Sequence, residues 1–236
     1  MRTTIFSLLK SITESGWLSG PVYEFGAYRV PGQERRASVR DFFPSMSFVG
    51  CDMRAGPGVD RVENLHNLTL PDESIETALL FDTIEHVREP WRAMAEIHRC
   101  LRPNGIVVMT SPMYFPIHAH PDDYWRFTDS GFASLLQAFN VISIESCGLK
   151  KLPHSIVGIA SKGRLNPTLE ANLKEAVISW KRHGATSWKE IALATIPPIL
   201  LIPAYDLFAR ILEIRAAKQW RRASSDQVPK IKILRE

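Results

Sequence analysis

The chain has 236 residues, 45% of them hydrophobic and 23% charged, which is enough for one sizeable α/β domain with or without an appendage and fits neither a disordered nor a wholly membrane-embedded class. Its formal net charge is +4, and the eight basic against four acidic residues after position 205 account for all of it. Residues 1–205 are therefore neutral overall, which argues against a body built to grip a nucleic-acid backbone and leaves only a basic tail.

Cys51, Cys100 and Cys147 are widely spaced and form no CxxC pair, so neither a disulfide framework nor a thiolate zinc site is indicated. The apolar run Ile5 to Leu9 stops at Lys10, too short for a signal-peptide core. A reducing, cytoplasmic setting is expected.

The first 20 residues form a short amphipathic lead-in that ends at Ser19-Gly20-Pro21. Strands are predicted at Val22–Gly26, Ser47–Asp52, Arg61–Asn64 and Ile75–Phe81, each bounded by turn formers. Trp91, Met94, Ile97 and Leu101 then recur at helical spacing after Pro90, a residue suited to a first helical turn. Arg102-Pro103-Asn104-Gly105 breaks that helix, and Ile106–Thr110 is apolar enough for a central parallel strand buried on both faces. A further helix is expected over Asp129–Phe139 with Asp129 as its cap. The β runs Val141–Ser146 and Ser155–Ala160 follow, joined too briefly for anything but an antiparallel pair.

Leu165–His183 reads as helical. Ile191–Tyr205 is almost wholly apolar but is interrupted by Pro197, Pro198 and Pro203 and is too short to span a membrane. The chain is thus expected to divide into a catalytic domain, 1–163, and a helical and apolar extension, 164–236, with the basic tail. From Trp188 onward the extension is expected to attach the protein to an anionic membrane surface or to close a homodimer.

Gly26, ending the first strand, allows a ligand to approach the backbone, and Asp52, ending the second, is placed to accept both hydroxyls of a ribose. Each signal is weak alone, since a strand-terminal glycine is commonly just a turn. Three further segments strengthen them. Asn67-Leu68-Thr69-Leu70-Pro71-Asp72-Glu73-Ser74-Ile75-Glu76, Phe81-Asp82-Thr83-Ile84-Glu85-His86-Val87 and Leu101-Arg102-Pro103-Asn104-Gly105 resemble, in order and spacing, the "LPFPDxSFD", "LEHV" and "LKPGG" segments of the class I S-adenosylmethionine-dependent methyltransferases, in the manner of their type 11 members.

The resemblance runs from about Val22 to Ser111. It implies a Rossmann-like methyltransferase sandwich: a mainly parallel seven-stranded sheet with an antiparallel last strand, helices on both faces, and a helical C-terminal appendage. It implies S-adenosyl-L-methionine as cofactor, with Glu24 and Gly26 beside the methionine moiety, Asp52 on the ribose, Met53 near adenine, Asn64 and Leu65 lining the base, and Asp82 near the amino group. Two departures stand out. Gly26-Ala27-Tyr28 replaces the usual GxGxG, and Asn64 stands where many relatives carry an acid.

By the same resemblance, the segment Ser111–Thr128 lies over the transferable methyl group, where the acceptor enters. His118 or His120 would be the base for transfer to a hydroxyl, with Asp122 or Asp123 orienting the ring. The plainer alternative makes Tyr124, Trp125 and Phe127 a packed lid and one histidine merely hydrogen-bonded. Asp82, Glu85 and His86 also resemble an element by which some relatives, including small-RNA 3′-end methyltransferases, hold a divalent cation with a later histidine. Because Glu-His is common here in metal-free relatives and Asp82 is assigned to the cofactor, no metal is expected.

The function expected is O-methylation of a small-molecule or glycan acceptor, with no nucleic-acid partner. The alternatives are a nicotinamide-dependent oxidoreductase and a non-catalytic binding protein of methyltransferase type. Against the oxidoreductase, the first loop lacks GxGxxG, and neither Tyr114 nor Tyr124 has a lysine four residues later.

Overall fold

The computed structural model describes residues 3–14, 16, 18–29, 38–115, 117–118, 122–149 and 152–184. Seven strands form one sheet: β1 (Val22–Phe25), β2 (Phe48–Asp52), β3 (Arg61–Val62), β4 (Ile75–Phe81), β5 (Leu101–Pro112), β6 (Asn140–Leu149) and β7 (Leu152–Ser161). Their spatial order is β3-β2-β1-β4-β5-β7-β6. β1 to β5 run parallel, whereas β7 inserts antiparallel between β5 and β6. This is the Rossmann-like methyltransferase sandwich expected from the sequence.

The central strands explain themselves by composition. In β4, Ile75 and Thr77 to Leu80 are buried, and in β5 every residue from Gly105 to Pro112 is buried, because both faces of the sheet are covered. On one face α2 (Pro90–Cys100) sets Ala93, Met94, Ile97 and Cys100 into a core with Phe25, Leu80, Ile84, Val107 and Met109. The short α3 (Asp129–Leu135) adds Phe132 to it.

On the other face α1 (Thr3–Glu14) buries Ile5, Leu8, Leu9 and Ile12 with Val22, Leu79, Val108 and Ile159. α4 (Pro167–Gly184) packs beside it through Leu173, Ala176, Val177 and Trp180. Helix Leu165–His183 was thus expected nearly where α4 lies. Among the described residues no helix is long and apolar enough to cross a membrane. The apolar run Ile191–Tyr205, the attachment element from Trp188 and the basic tail lie outside the described residues.

Four local expectations are corrected. β3 stops at Val62 and does not reach Asn64: the Glu63 amide still donates to the Asp52 carbonyl, but Asn64 leaves the ladder to pair with Asn67 across a tight turn. β5 is longer than Ile106–Thr110, beginning at Leu101, because a shift of register between Ile75 and Thr77 absorbs the Arg102–Gly105 turn into the strand. α3 ends at Leu135, not at Phe139. Its cap is Thr128, not Asp129: Thr128 is extended (φ −93°, ψ 171°), and its hydroxyl accepts from the Gly131 amide.

Candidate functional site

Because β2 and β4 flank β1 on opposite sides, the crossovers from β1 and β4 leave in opposite directions and open a crevice beyond the carboxyl ends of these strands. A cavity of about 380 Å³ occupies it. The cavity is lined by strand-end residues expected from the sequence, Gly26, Asp52 and Asp82, and by Met53, Asn64 and Leu65 from the loops beyond. Its size suits a ligand of nucleoside dimensions.

Gly26 has φ +89°, in the left-handed region, and a Cβ there would drive into Thr83 Oγ1. That hydroxyl donates back to the Phe25 carbonyl at 3.0 Å, so the β1 and β4 ends are tied together below the cavity floor. Asp52 receives amides from two loops: Tyr28 N–H on Oδ2 at 3.3 Å and Arg54 N–H on Oδ1 at 3.0 Å. The Arg54 guanidinium lies over the Tyr28 ring, 4.4 Å from its centroid, and closes this side.

Asn64 is held by its oxygen. Oδ1 accepts from the His66 amide at 2.9 Å and faces His66 Nδ1 at 3.1 Å, while His66 Nε2 accepts from the Glu89 amide at 3.2 Å. His66 therefore carries its proton on Nδ1 and donates it to Asn64. The Asn64 amide, expected to line the base, is left with its NH2 as the end turned to a ligand.

Asp82 leaves β4 with φ +48°, a strained conformation for a residue that is not glycine. Thr110 of β5 compensates, its hydroxyl accepting from the Asp82 amide and donating to Oδ1, each at 3.1 Å. Glu24, expected beside the methionine moiety, does not line the cavity. It sits half-buried on β1, where desolvation pushes its carboxyl up to about 7 against the opposing pull of Arg29 and Arg40.

Two buried groups on the cavity wall have opposite electrostatics. Burial pushes the Cys51 thiol up to about 12, so it stays protonated. Burial acts upward on Glu63 as well, but bonds from the Thr69 hydroxyl and amide and from Arg61 outweigh it and hold that carboxylate below its usual range.

The opposite side of the cavity is built by docking one segment on another. Tyr124 and Trp125 donate their amides to the Glu85 carbonyl at 2.9 and 3.2 Å, Trp125 Nε1 donates to the Val87 carbonyl at 2.9 Å, and His86 Nδ1 bonds the Asp122 carbonyl. His86, Asp122 and Tyr124 thereby line the cavity beside Thr83 and Arg88. His118 and Asp123 come together as expected: Asp123 Oδ2 accepts from the His118 amide at 2.9 Å and lies 3.2 Å from Nδ1. Arg126 grips both Asp123 oxygens, and against the upward effect of burial these partners hold Asp123 down to about 2. His120 lies outside the described residues.

His118 meets His86 edge to face, with ring centroids 4.8 Å apart. Glu85, His86 and His118 each offer a donor atom, all within 4.8 Å of one another. Asp82, grouped with Glu85 and His86 in the sequence, is not one of them. Tyr28, Arg54 and His66 were not foreseen as lining residues. The position of Tyr28 two residues after Gly26, and of Arg54 two after Asp52, was the available signal.

Residues 37–109 match the sequence model of the family described as "Methyltransferase domain". Among solved structures, the PH0226 protein of Pyrococcus horikoshii superposes with a TM-score of 0.51 at 15% identity, covering 68% of this chain and 90% of that one. An S-adenosylmethionine-dependent methyltransferase of Mesorhizobium loti superposes with a TM-score of 0.50 at 15% identity, covering 67% and 98%. Among curated proteins, an uncharacterized 37.1 kDa protein of a Streptomyces fradiae transposon is 43% identical over 49 residues, 21% of this chain and only 14% of that protein's length.

Proposed function

We propose that this chain is a class I S-adenosylmethionine-dependent methyltransferase, as its match to the methyltransferase-domain model over residues 37–109 supports, and that it transfers the sulfonium methyl group to an oxygen of a small-molecule or glycan acceptor. The observation that carries it is the cavity at the β1–β4 crevice, with Asp52 on one wall and the His86–His118 pair beside the other. Asp52 Oδ2, which accepts from the Tyr28 amide, has a lone pair for one ribose hydroxyl, and the second hydroxyl displaces the long 3.5 Å bond from Arg54 Nε on Oδ1, which also accepts from the Arg54 amide. Met53, 59% exposed, and Leu65 offer apolar cover for adenine, and the Asn64 NH2 donates to a ring nitrogen.

Asp82 receives the ammonium group, and the backbone at Gly26 admits the methionine chain. Transfer is in line: the acceptor oxygen bonds to the methyl carbon as the S–C bond breaks, sulfur keeps the electron pair, and S-adenosylhomocysteine leaves. The hydroxyl proton passes to an imidazole of the segment 113–126, His118 set by Asp123, or His120. In the same proposal, residues 1–163 carry catalysis, and the chain from Trp188 onward attaches it to a membrane surface or a second copy.

The test is twofold. Calorimetry should show S-adenosylhomocysteine binding to the wild type and a loss of about a hundredfold in affinity for Asp52→Ala. Methyl-labelled cofactor, incubated with the protein and an extract of its own cells, should then label an alkali-stable small molecule or glycan. A well-folded protein that binds neither S-adenosylmethionine nor S-adenosylhomocysteine would support a binding protein without this cofactor instead.

A further inference from the structure

We propose that the methyl acceptor is an anionic sugar whose carboxylate or phosphate is bound by Arg88 at the cavity wall. The proposal deepens the methyltransferase reading above and rests on it for the acceptor's place. The first observation is the charge on that wall. Among the described residues, Arg54 and Arg88 are the arginines that line the cavity, and they differ. Arg54 is engaged, its Nε 3.5 Å from Asp52 Oδ1 and its guanidinium over the Tyr28 ring. Arg88 is exposed and, among the described residues, makes no ion pair. Neighbouring arginines are committed elsewhere: Arg92 lies 4.0 Å from Glu89, and Arg126 grips both Asp123 oxygens.

The second observation is how Arg88 is carried. Side chains from other segments fix the backbone on both sides of it. The Val87 carbonyl accepts from Trp125 Nε1 at 2.9 Å, and the Glu89 amide donates to His66 Nε2 at 3.2 Å. Pro90, itself buried, then starts α2. An arginine on a pinned backbone has less freedom to lose when it meets an anion, and its planar fork matches two oxygens of a carboxylate or a phosphate.

The third observation is what stands beside it. Tyr124, 45% exposed, lines the same cavity, and its hydroxyl donates to Asp122 Oδ2 at 2.9 Å. That bond pushes the Tyr124 hydroxyl up while Arg88 pulls it the other way, so the guanidinium acts on the place where Tyr124 and Asp122 meet. Asp122 Oδ1 has lone pairs for a hydroxyl, and the Tyr124 ring is a flat apolar face. Asp122 also sets a limit, because its charge repels an anion placed against it. The charged group of the acceptor therefore goes to Arg88 and a hydroxyl goes to Asp122. A cation, a carboxylate and an exposed ring on one wall suit a molecule that is anionic at one point and hydroxylated at others, which is an acidic or phosphorylated sugar.

The test uses the full chain with saturating S-adenosylhomocysteine, titrated by calorimetry with D-glucuronate, glucose 1-phosphate and methyl glucoside. The wild type should bind one of the two anionic sugars at least about tenfold more tightly than methyl glucoside, and the one it prefers separates carboxylate from phosphate. Arg88→Ala should erase that preference while its affinity for S-adenosylhomocysteine stays within about twofold, and Arg88→Lys should keep part of the preference. Circular dichroism on the same samples reports folding, which an exposed position leaves intact. No preference for an anionic sugar in the wild type, or a preference that survives in Arg88→Ala, overturns the proposal. So does an Arg88→Ala chain that loses S-adenosylhomocysteine affinity, because Arg88 then serves the carboxylate of the cofactor. A wild type that binds S-adenosylhomocysteine but shows no such preference leaves the methyltransferase reading standing; one that prefers an anionic sugar yet binds no S-adenosylhomocysteine keeps the anion site and removes that reading.

Discussion

Gly26 and Asp52 show how far single residues could be read in advance. Each ends a strand whose apolar run is plain in the sequence, and the parallel arrangement alone brings both to the same crevice. What the sequence could not show is the company they keep, because Thr83 reaches the Phe25 carbonyl from 58 positions away. Gly26→Ala should therefore lose S-adenosylhomocysteine binding and lower the unfolding midpoint together, since the new Cβ must displace the hydroxyl that ties β1 to β4. A variant with full stability and full affinity would contradict this. Glu24 was legible as a strand residue but not as a titrating one. Its folded carboxyl, near 7 against an ordinary 4.5, binds more protons folded than unfolded across that window. Stability should accordingly be greatest below the lower value and fall as pH rises through the higher, by on the order of 3 kcal/mol at most. Urea midpoints at pH 5 and pH 8 should diverge in the wild type and draw together in Glu24→Gln.

Elements whose identity depends on their own residues were read well, and those that depend on a neighbour were not. α2 starts at Pro90 and buries Met94 and Ile97 of the face its periodicity marks, leaving Trp91 exposed, so it could be placed within a residue. β3 and β5 owe their ends to pairing: one loses Asn64 to a turn, and the other gains Leu101 through a shift against β4. α3 is the instructive case, because two adjacent residues, Thr128 and Asp129, both suit a helix start. Backbone conformation chooses between them: Thr128 is extended and accepts the Gly131 amide, whereas Asp129 is already helical. Thr128→Ala should destabilise the protein by about 1 kcal/mol, and Asp129→Ala by a few tenths, its side chain supplying a favourable charge in the first turn and a long, exposed bond from the Ser146 hydroxyl at 3.4 Å. Equal costs from denaturant titration would return the cap to Asp129.

At the scale of the whole molecule, the described residues form a sheet closed by two unlike layers, and the layer farther from the signature motifs is the one local sequence describes least. α1 precedes the first strand and α4 follows the last, yet they lie side by side and bury the same face. Nothing in the periodicity of either helix announces that partnership, which joins the first and last elements of the described residues. Trp180 is its anchor: 2% exposed, it fills the core that also holds Ile5, Leu8, Val157 and Leu173. Removing that ring leaves a cavity the rigid sheet cannot collapse into, and large-to-small changes of this kind cost about 3–5 kcal/mol. Trp180→Ala should therefore lower the urea midpoint sharply, while Trp91→Ala, at a residue 57% exposed on the opposite layer, should cost well under half as much. Because Trp180 belongs to the layer remote from the cavity, S-adenosylhomocysteine affinity below the unfolding transition should be nearly unchanged in Trp180→Ala. If instead the substitution left stability intact, α4 would not be part of the core that positions the site, and the sheet would have to be held on that face by α1 with Val39 and Phe43.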